Sequence, residues 1–185
     1  MRTRILLILT TILAVGAGTT ASAQDWGLIV NGKSIHVNSS KDWNERNWGL
    51  GLEREFATDS KWVKVALVNG FKDSRNHMSY MAGGGVKRRF HLYSLSDDLF
   101  VDVGVVGFLM TRKNVNDNEP FPGLLPAVTV GTSRVALNLT YLSERMMDRA
   151  TNVSRVDPTV SGLVFLQLRI HPGMLGLGKL PGRLR

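Results

Sequence analysis

The chain has 185 residues, 23 Lys and Arg against 15 Asp and Glu for a formal charge of +8, and no cysteine. Without thiols a disulfide framework, thiolate metal sites and cysteine nucleophiles are excluded, so any nucleophile carries oxygen or nitrogen. The basic residues are spread along the chain without a block of like charge, which permits a polyanionic neighbour such as a phosphorylated lipid surface.

Met1-Arg2-Thr3-Arg4, an apolar run from Ile5 to Val15 and Ala21-Ser22-Ala23 follow the charged, hydrophobic, small-residue order of a secretory signal peptide. Residues 1–23 are therefore expected to be cleaved, leaving Gln24 at the N-terminus and a charge of +6. An uncleaved anchor is the alternative, but Thr10 and Thr11 interrupt a run already shorter than the roughly 20 residues needed to span a bilayer. Export makes nucleic acid a poor partner. No other stretch reaches spanning length as a helix, so about 160 residues remain for one domain, either soluble or built from membrane-spanning strands.

Period-two alternation predicts eight strands, near 27 to 37, 46 to 56, 61 to 71, 77 to 90, 98 to 109, 125 to 131, 134 to 143 and 159 to 170. Trp48, Leu50 and Leu52 alternate with Gly49, Gly51 and Glu53; Val63, Val65 and Leu67 with Lys64 and Ala66; Val101, Val103 and Val105 with Asp102 and Gly104. The last two strands set Val135, Leu137, Leu139 and Tyr141, then Val164, Leu166, Leu168 and Ile170, against more polar partners. In a membrane barrel the apolar set faces lipid, which places Glu53, Lys64, Asp102 and Arg169 inside and leaves Trp48, Trp62 and Tyr141 for an interfacial girdle. Short connections (57 to 60, 91 to 97, 132 to 133) alternate with long polar ones (38 to 45, 110 to 124, 144 to 158), and only 72 to 76 breaks that order. A soluble lipocalin-like barrel also alternates but turns its apolar face inward; the charged residues in the inward register argue against it.

Phe71-Lys72-Asp73-Ser74-Arg75-Asn76 falls where the third strand ends. Asp and Ser are ordinary turn residues, and a serine nucleophile also needs a base within reach. Of the four histidines, His91 lies on the opposite rim, His171 follows the last strand and His77 leaves the turn, whereas His36 closes the first strand on the rim of Ser74. His36 is the better base. Four single histidines without paired spacing point away from a metal site. Gly83-Gly84-Gly85 lacks the pattern of a phosphate loop and reads either as a bend or as a tunnel floor beside a ligand. Pro120, Pro122 and Pro126 cannot donate to a ladder and should weaken pairing at the sixth strand, which in a membrane barrel makes a lateral gap.

Taken together and in order, Asn44-Glu45-Arg46-Asn47-Trp48-Gly49, Phe71-Lys72-Asp73-Ser74, Ala82-Gly83-Gly84-Gly85, Arg112, Pro122-Gly123-Leu124-Leu125-Pro126 and Thr140-Tyr141 resemble the PagP family of outer-membrane lipid A palmitoyltransferases. The resemblance implies an all-β, eight-stranded antiparallel transmembrane barrel over 24–170, enclosing a hydrocarbon-binding interior. It implies transfer of an acyl chain, palmitate by expectation, from a glycerophospholipid to lipid A, without a cofactor or a metal, by a monomer in the outer membrane. Its catalytic histidine, aspartate and serine carry over as His36, Asp73 and Ser74. Gly85 would form the acyl-chain floor, Arg112 would bind substrate, and Pro122 and Pro126 would admit lipid laterally.

Three departures accompany the resemblance. Only Gln24, Asp25 and Trp26 precede the first strand in the expected mature chain, so the family's N-terminal amphipathic helix is expected to be absent. Asn31-Gly32 replaces a first-strand proline, and residues 171–185 form a basic tail without a reading. Two rivals remain open on these residues: a lipid A deacylase or phospholipase on the same barrel, with water as the acceptor, and a non-enzymatic lipid-binding barrel.

Overall fold

The computed structural model describes residues 26–56, 58, 60–113, 118–143 and 161–175. All eight expected strands form: β1 (Trp26–Val37), β2 (Arg46–Phe56), β3 (Trp62–Lys72), β4 (Met78–His91), β5 (Phe100–Thr111), β6 (Phe121–Gly131), β7 (Val135–Ser143) and β8 (Gly162–Ile170). Each strand pairs antiparallel with its sequence neighbour, and β1 pairs with β8 to close the barrel. Closure gives every strand a neighbour on each side over at least part of its length. The segments on which the expected signal peptide, the expected lack of an N-terminal helix and most of the tail fall lie outside the described residues; of the tail, residues 171–175 are described, with a 3-10 turn at Pro172–Leu175.

The outer face of the wall is apolar and one end of its interior is charged, unlike a soluble barrel. Trp48, Leu50, Tyr80 and Leu124 are each about 60% exposed on the outside, while Glu53, Lys87, Asp102 and Arg169 are buried within. A lipocalin-like interior would be the reverse.

On β3 the expected faces are exchanged. Val65 is buried and packs with Val106 and Ala127, joined by Val63 and Leu67, whereas Lys64 is exposed on the outer wall. Alternation along one strand separates two faces without marking which is inner. Here the neighbours decide it, because Val65 and Leu67 lie opposite Gly85 and Gly83, which leave the space inside that larger side chains fill. β6 also begins four residues before its expected start, at Phe121, with Pro122 and Pro126 inside it.

Toward the rim formed by the start of β1 and the end of β2, buried charges fill the interior. Glu53 lies 3.5 Å from Lys87 and 3.3 Å from Arg169, and Arg169 continues to Glu55 at 2.9 Å. Arg89 forks onto Asp102 with two contacts of 2.8 Å and reaches Glu55 at 3.1 Å. Above them Asn31 and Asn69 exchange side-chain hydrogen bonds, and Gln167 donates to Asn31 at 2.7 Å. These reciprocal bonds offset the cost of burying so many polar groups.

Candidate active site

At the opposite rim β1 and β3 end while β2 and β4 begin, which brings two sequence-distant turns together. Asp73 organises the tight one. Its Oδ1 accepts the backbone N–H groups of Arg75 (2.8 Å) and His77 (2.9 Å), and its own carbonyl accepts Asn76 N–H at 2.9 Å. Asn76 takes a positive φ of 64°, a conformation that asparagine tolerates better than most residues. Two asparagines clamp this turn from the side: Asn44 of the first loop donates to the carbonyls of Ser74 and Asp73, each at 2.9 Å, and Asn47 at the start of β2 donates to the Lys72 carbonyl at 2.8 Å.

So held, Ser74 Oγ lies 3.0 Å from His36 Nε2. That is hydrogen-bond distance for a hydroxyl and an imidazole, the geometric minimum for general-base work. The His36 ring is only slightly exposed and stacks on Trp43, with centroids 5.3 Å apart and planes 17° from parallel. Its Nδ1 side faces Glu45, whose Oε1 lies 3.7 Å away and also accepts the His36 backbone N–H at 3.2 Å.

The structure therefore brings His36 to Ser74 directly, and Asp73 to the turn rather than to the imidazole. The second Asp73 oxygen lies 3.6 Å from Arg112 Nε, linking Arg112 to the site. Burial pushes the Arg112 guanidinium below its ordinary pKa; Asp73 opposes this and Arg75 adds to it.

Beneath Ser74 an apolar slot runs into the barrel, walled by Leu67, Phe71, Met81, Phe108, Leu125 and Phe165 among others. Asp73, Ser74 and Arg112 lie at its mouth; Glu53, Lys87, Thr129, Asn138 and Gln167 line its deep end. It encloses about 130 Å³ of free space. Ligand sites usually hold roughly 300–1,000 Å³, so a long guest must move side chains, and Met81 and Met110 on the wall are suited to that. Gly85 sits in the inward register between Val65 and Val106, two residues above Lys87. A Cβ there would meet the Val105 carbonyl at 2.3 Å, so the glycine also allows β4 and β5 to approach closely.

The wall beside the slot is incompletely paired. β5 and β6 stay in register from Phe100↔Gly131 to Met110↔Phe121, but pairs between β6 and β7 extend only from Gly131↔Ala136 to Ala127↔Thr140. Among the described residues, 121–126 thus have a neighbour on one side only, as on the edge strands where proline is tolerated, and Pro122 and Pro126 both lie there with exposed rings.

Residues 31–154 match the family model described as PagP, antimicrobial peptide resistance and lipid A acylation protein. The chain belongs to the PagP family. Over 103 residues it is 29% identical to the lipid A acyltransferase PagP of Bordetella pertussis strain Tohama I, covering 55% of this chain and 54% of that protein. The protein of the same name from Musicola paradisiaca strain Ech703 is 31% identical over 101 residues, covering 54% and 52%, and that from Laribacter hongkongensis strain HLHK9 is 32% identical over 103, covering 55% and 47%. The chain spans about half the length of the curated relatives it matches. The sequence assigns no role to Glu45 or Trp43 and does not give the pairing of the buried charges. Glu45 lies within a motif quoted for the family resemblance, but its separation of nine residues from His36 gives no sign that the first loop folds it back onto the ring.

Proposed function

We propose that this PagP-family barrel transfers an acyl chain from a glycerophospholipid to a hydroxyl of lipid A in the outer membrane. The observation that carries the reading is the His36–Ser74 pair, 3.0 Å apart, at the polar mouth of an apolar slot. The names of its relatives supply the acceptor class. The apolar outer wall supports a bilayer setting, with the long loops and the His36 rim on the outer side.

In this reading the donor's acyl chain occupies the slot and its ester carbonyl rests near Ser74. His36 Nε2 takes the proton of the lipid A hydroxyl as its oxygen bonds the ester carbon, and the negative charge moves to the carbonyl oxygen. Collapse breaks the donor ester bond, and the departing glycerol oxygen takes the proton from His36. Ser74 orients the imidazole or the carbonyl, Asp73 holds Ser74 in place, and Arg112 binds substrate at the mouth. Along β6 the slot wall runs from Phe121 to Thr129, roughly 20 Å of depth for a tilted strand, which suits a chain of palmitate length with Gly85 near its end. The unpaired flank at Pro122 and Pro126 is the lateral entry for the donor.

Mass spectrometry of lipid A from cells with and without the gene tests this reading. A gain of one acyl chain is expected; loss of a chain would establish hydrolysis instead, and an unchanged lipid A would leave only a binding role.

A further inference from the structure

One contact at this rim goes beyond the three expected site residues. Glu45 is the last residue of the loop between β1 and β2, about one-third exposed, and directs one carboxylate oxygen at His36 twice over: 3.2 Å from the backbone N–H and 3.7 Å from ring Nδ1. Its other oxygen is engaged by Lys33 at 3.6 Å, and the Glu45 backbone carbonyl accepts Ser34 N–H at 3.0 Å, so both side chain and backbone are fixed to β1. Asp73, by contrast, spends its oxygens on its own turn and on Arg112.

We propose that Glu45 is the positioning carboxylate of His36, holding the imidazole with its proton on Nδ1 and with Nε2 turned to Ser74 as acceptor. The inference rests on the acyl-transfer reading of the His36–Ser74 pair. A neutral imidazole has one donor and one acceptor nitrogen, and only the Nδ1–H form leaves Nε2 free to take a proton. A carboxylate on the Nδ1 side selects that form and stabilises the imidazolium that arises when the acceptor hydroxyl is deprotonated. Trp43 restrains the other degree of freedom by stacking on the ring, with Lys41 and Arg75 each 5.9 Å from the Trp43 centroid on its account. Among the described residues, the charged groups around the ring are Glu45 with Lys33 behind it, Lys41 and Arg75 across Trp43, Asp42 and Arg46 in the same cleft, and Asp73 with Arg112 beyond Ser74.

Glu45→Gln is the informative change, because the amide oxygen still accepts the His36 backbone N–H while the charge is lost. Full-length protein, refolded in detergent, is assayed from pH 5 to 9 with lipid A and a palmitoyl phosphatidylcholine donor. Removing the carboxylate favours neutral His36, so the acid limb of kcat should move to lower pH by about one unit. The plateau kcat should fall about tenfold or more with KM within about twofold, and Glu45→Asp should recover part of the loss. His36→Ala is run beside it. If His36→Ala is inactive while Glu45→Gln keeps both the plateau and the acid limb of the parent, Glu45 does not position the histidine and the proposal is overturned alone. If His36→Ala is fully active, the site reading itself falls, and the inference with it.

Discussion

The two halves of the barrel interior are built from opposite materials. Toward the His36 rim the strands turn Leu67, Phe71, Phe108, Leu125 and Phe165 inward around a slot, and only its mouth is polar. Toward the other rim β2, β4, β5 and β8 turn in Glu53, Glu55, Lys87, Arg89, Asp102 and Arg169, which consume one another's charges. An apolar interior left loosely filled accepts an apolar guest, whereas a paired ionic interior is closed to one, since insertion would strand buried charge. The lower half thus serves as a rigid stopper, and the upper half is available for chemistry.

The largest expected effects lie at the mouth. His36→Ala and Ser74→Ala should each lower acyl transfer by about 10²–10⁴-fold, the usual worth of general acid–base catalysis. Neither should alter heat-modifiable mobility on gels, because neither group belongs to the stopper. Full activity in both variants would remove the site from the upper half.

The stopper should answer in the opposite sense. Glu53 serves both Lys87 and Arg169 and is almost wholly buried, so Glu53→Ala leaves two cations short of a partner. A loss of about 3–5 kcal/mol is expected in urea unfolding. Adding Lys87→Met should restore part of it, because a neutral pair replaces an orphaned charge. If Glu53→Ala unfolds at the parent's urea concentration, the network does not hold the barrel.

Gly85 lies where the two halves meet, and it shows how far the sequence could be read. The eight strands, the rim shared by His36 and Ser74, and the Asp73 turn were all legible, because period-two runs and turn residues are local signals. The inward face of β3 was not. Val63, Val65 and Leu67 resemble a lipid-facing set until Gly83 and Gly85 are known to lie opposite them. The start of β6 was hidden because proline argues against a strand, and only the missing β7 partner explains its presence. Which charges pair inside the stopper depends on register across several strands, as in the reach of Arg89 from β4 to Glu55 on β2. Gly85→Met would tighten the junction directly. Its side chain must displace the β5 backbone at Val105 or enter the slot, so activity with long chains should fall about tenfold relative to short ones. Unchanged chain-length selectivity in a folded variant would show that the end of the slot is set elsewhere, with Lys87 and Thr129 the next candidates.

The smallest effect is expected at the wall rather than in the interior. Among the described residues, 121–126 of β6 have no β7 partner, and Pro122 and Pro126 each withhold a backbone donor there. Replacing both with valine returns two N–H groups to a β-favouring backbone and allows the ladder to extend toward Tyr141. One bond gained there, opposite Tyr141, is worth about 0.5–1.5 kcal/mol net, enough to lower the population of an open flank about two- to tenfold. Transfer from a donor embedded in a bilayer should slow by that factor. The same donor dispersed in detergent can enter from the rim and should react at the parent rate. Equal slowing in both media would locate the effect inside the slot, and no slowing in either would mean that lipid does not pass between β6 and β7.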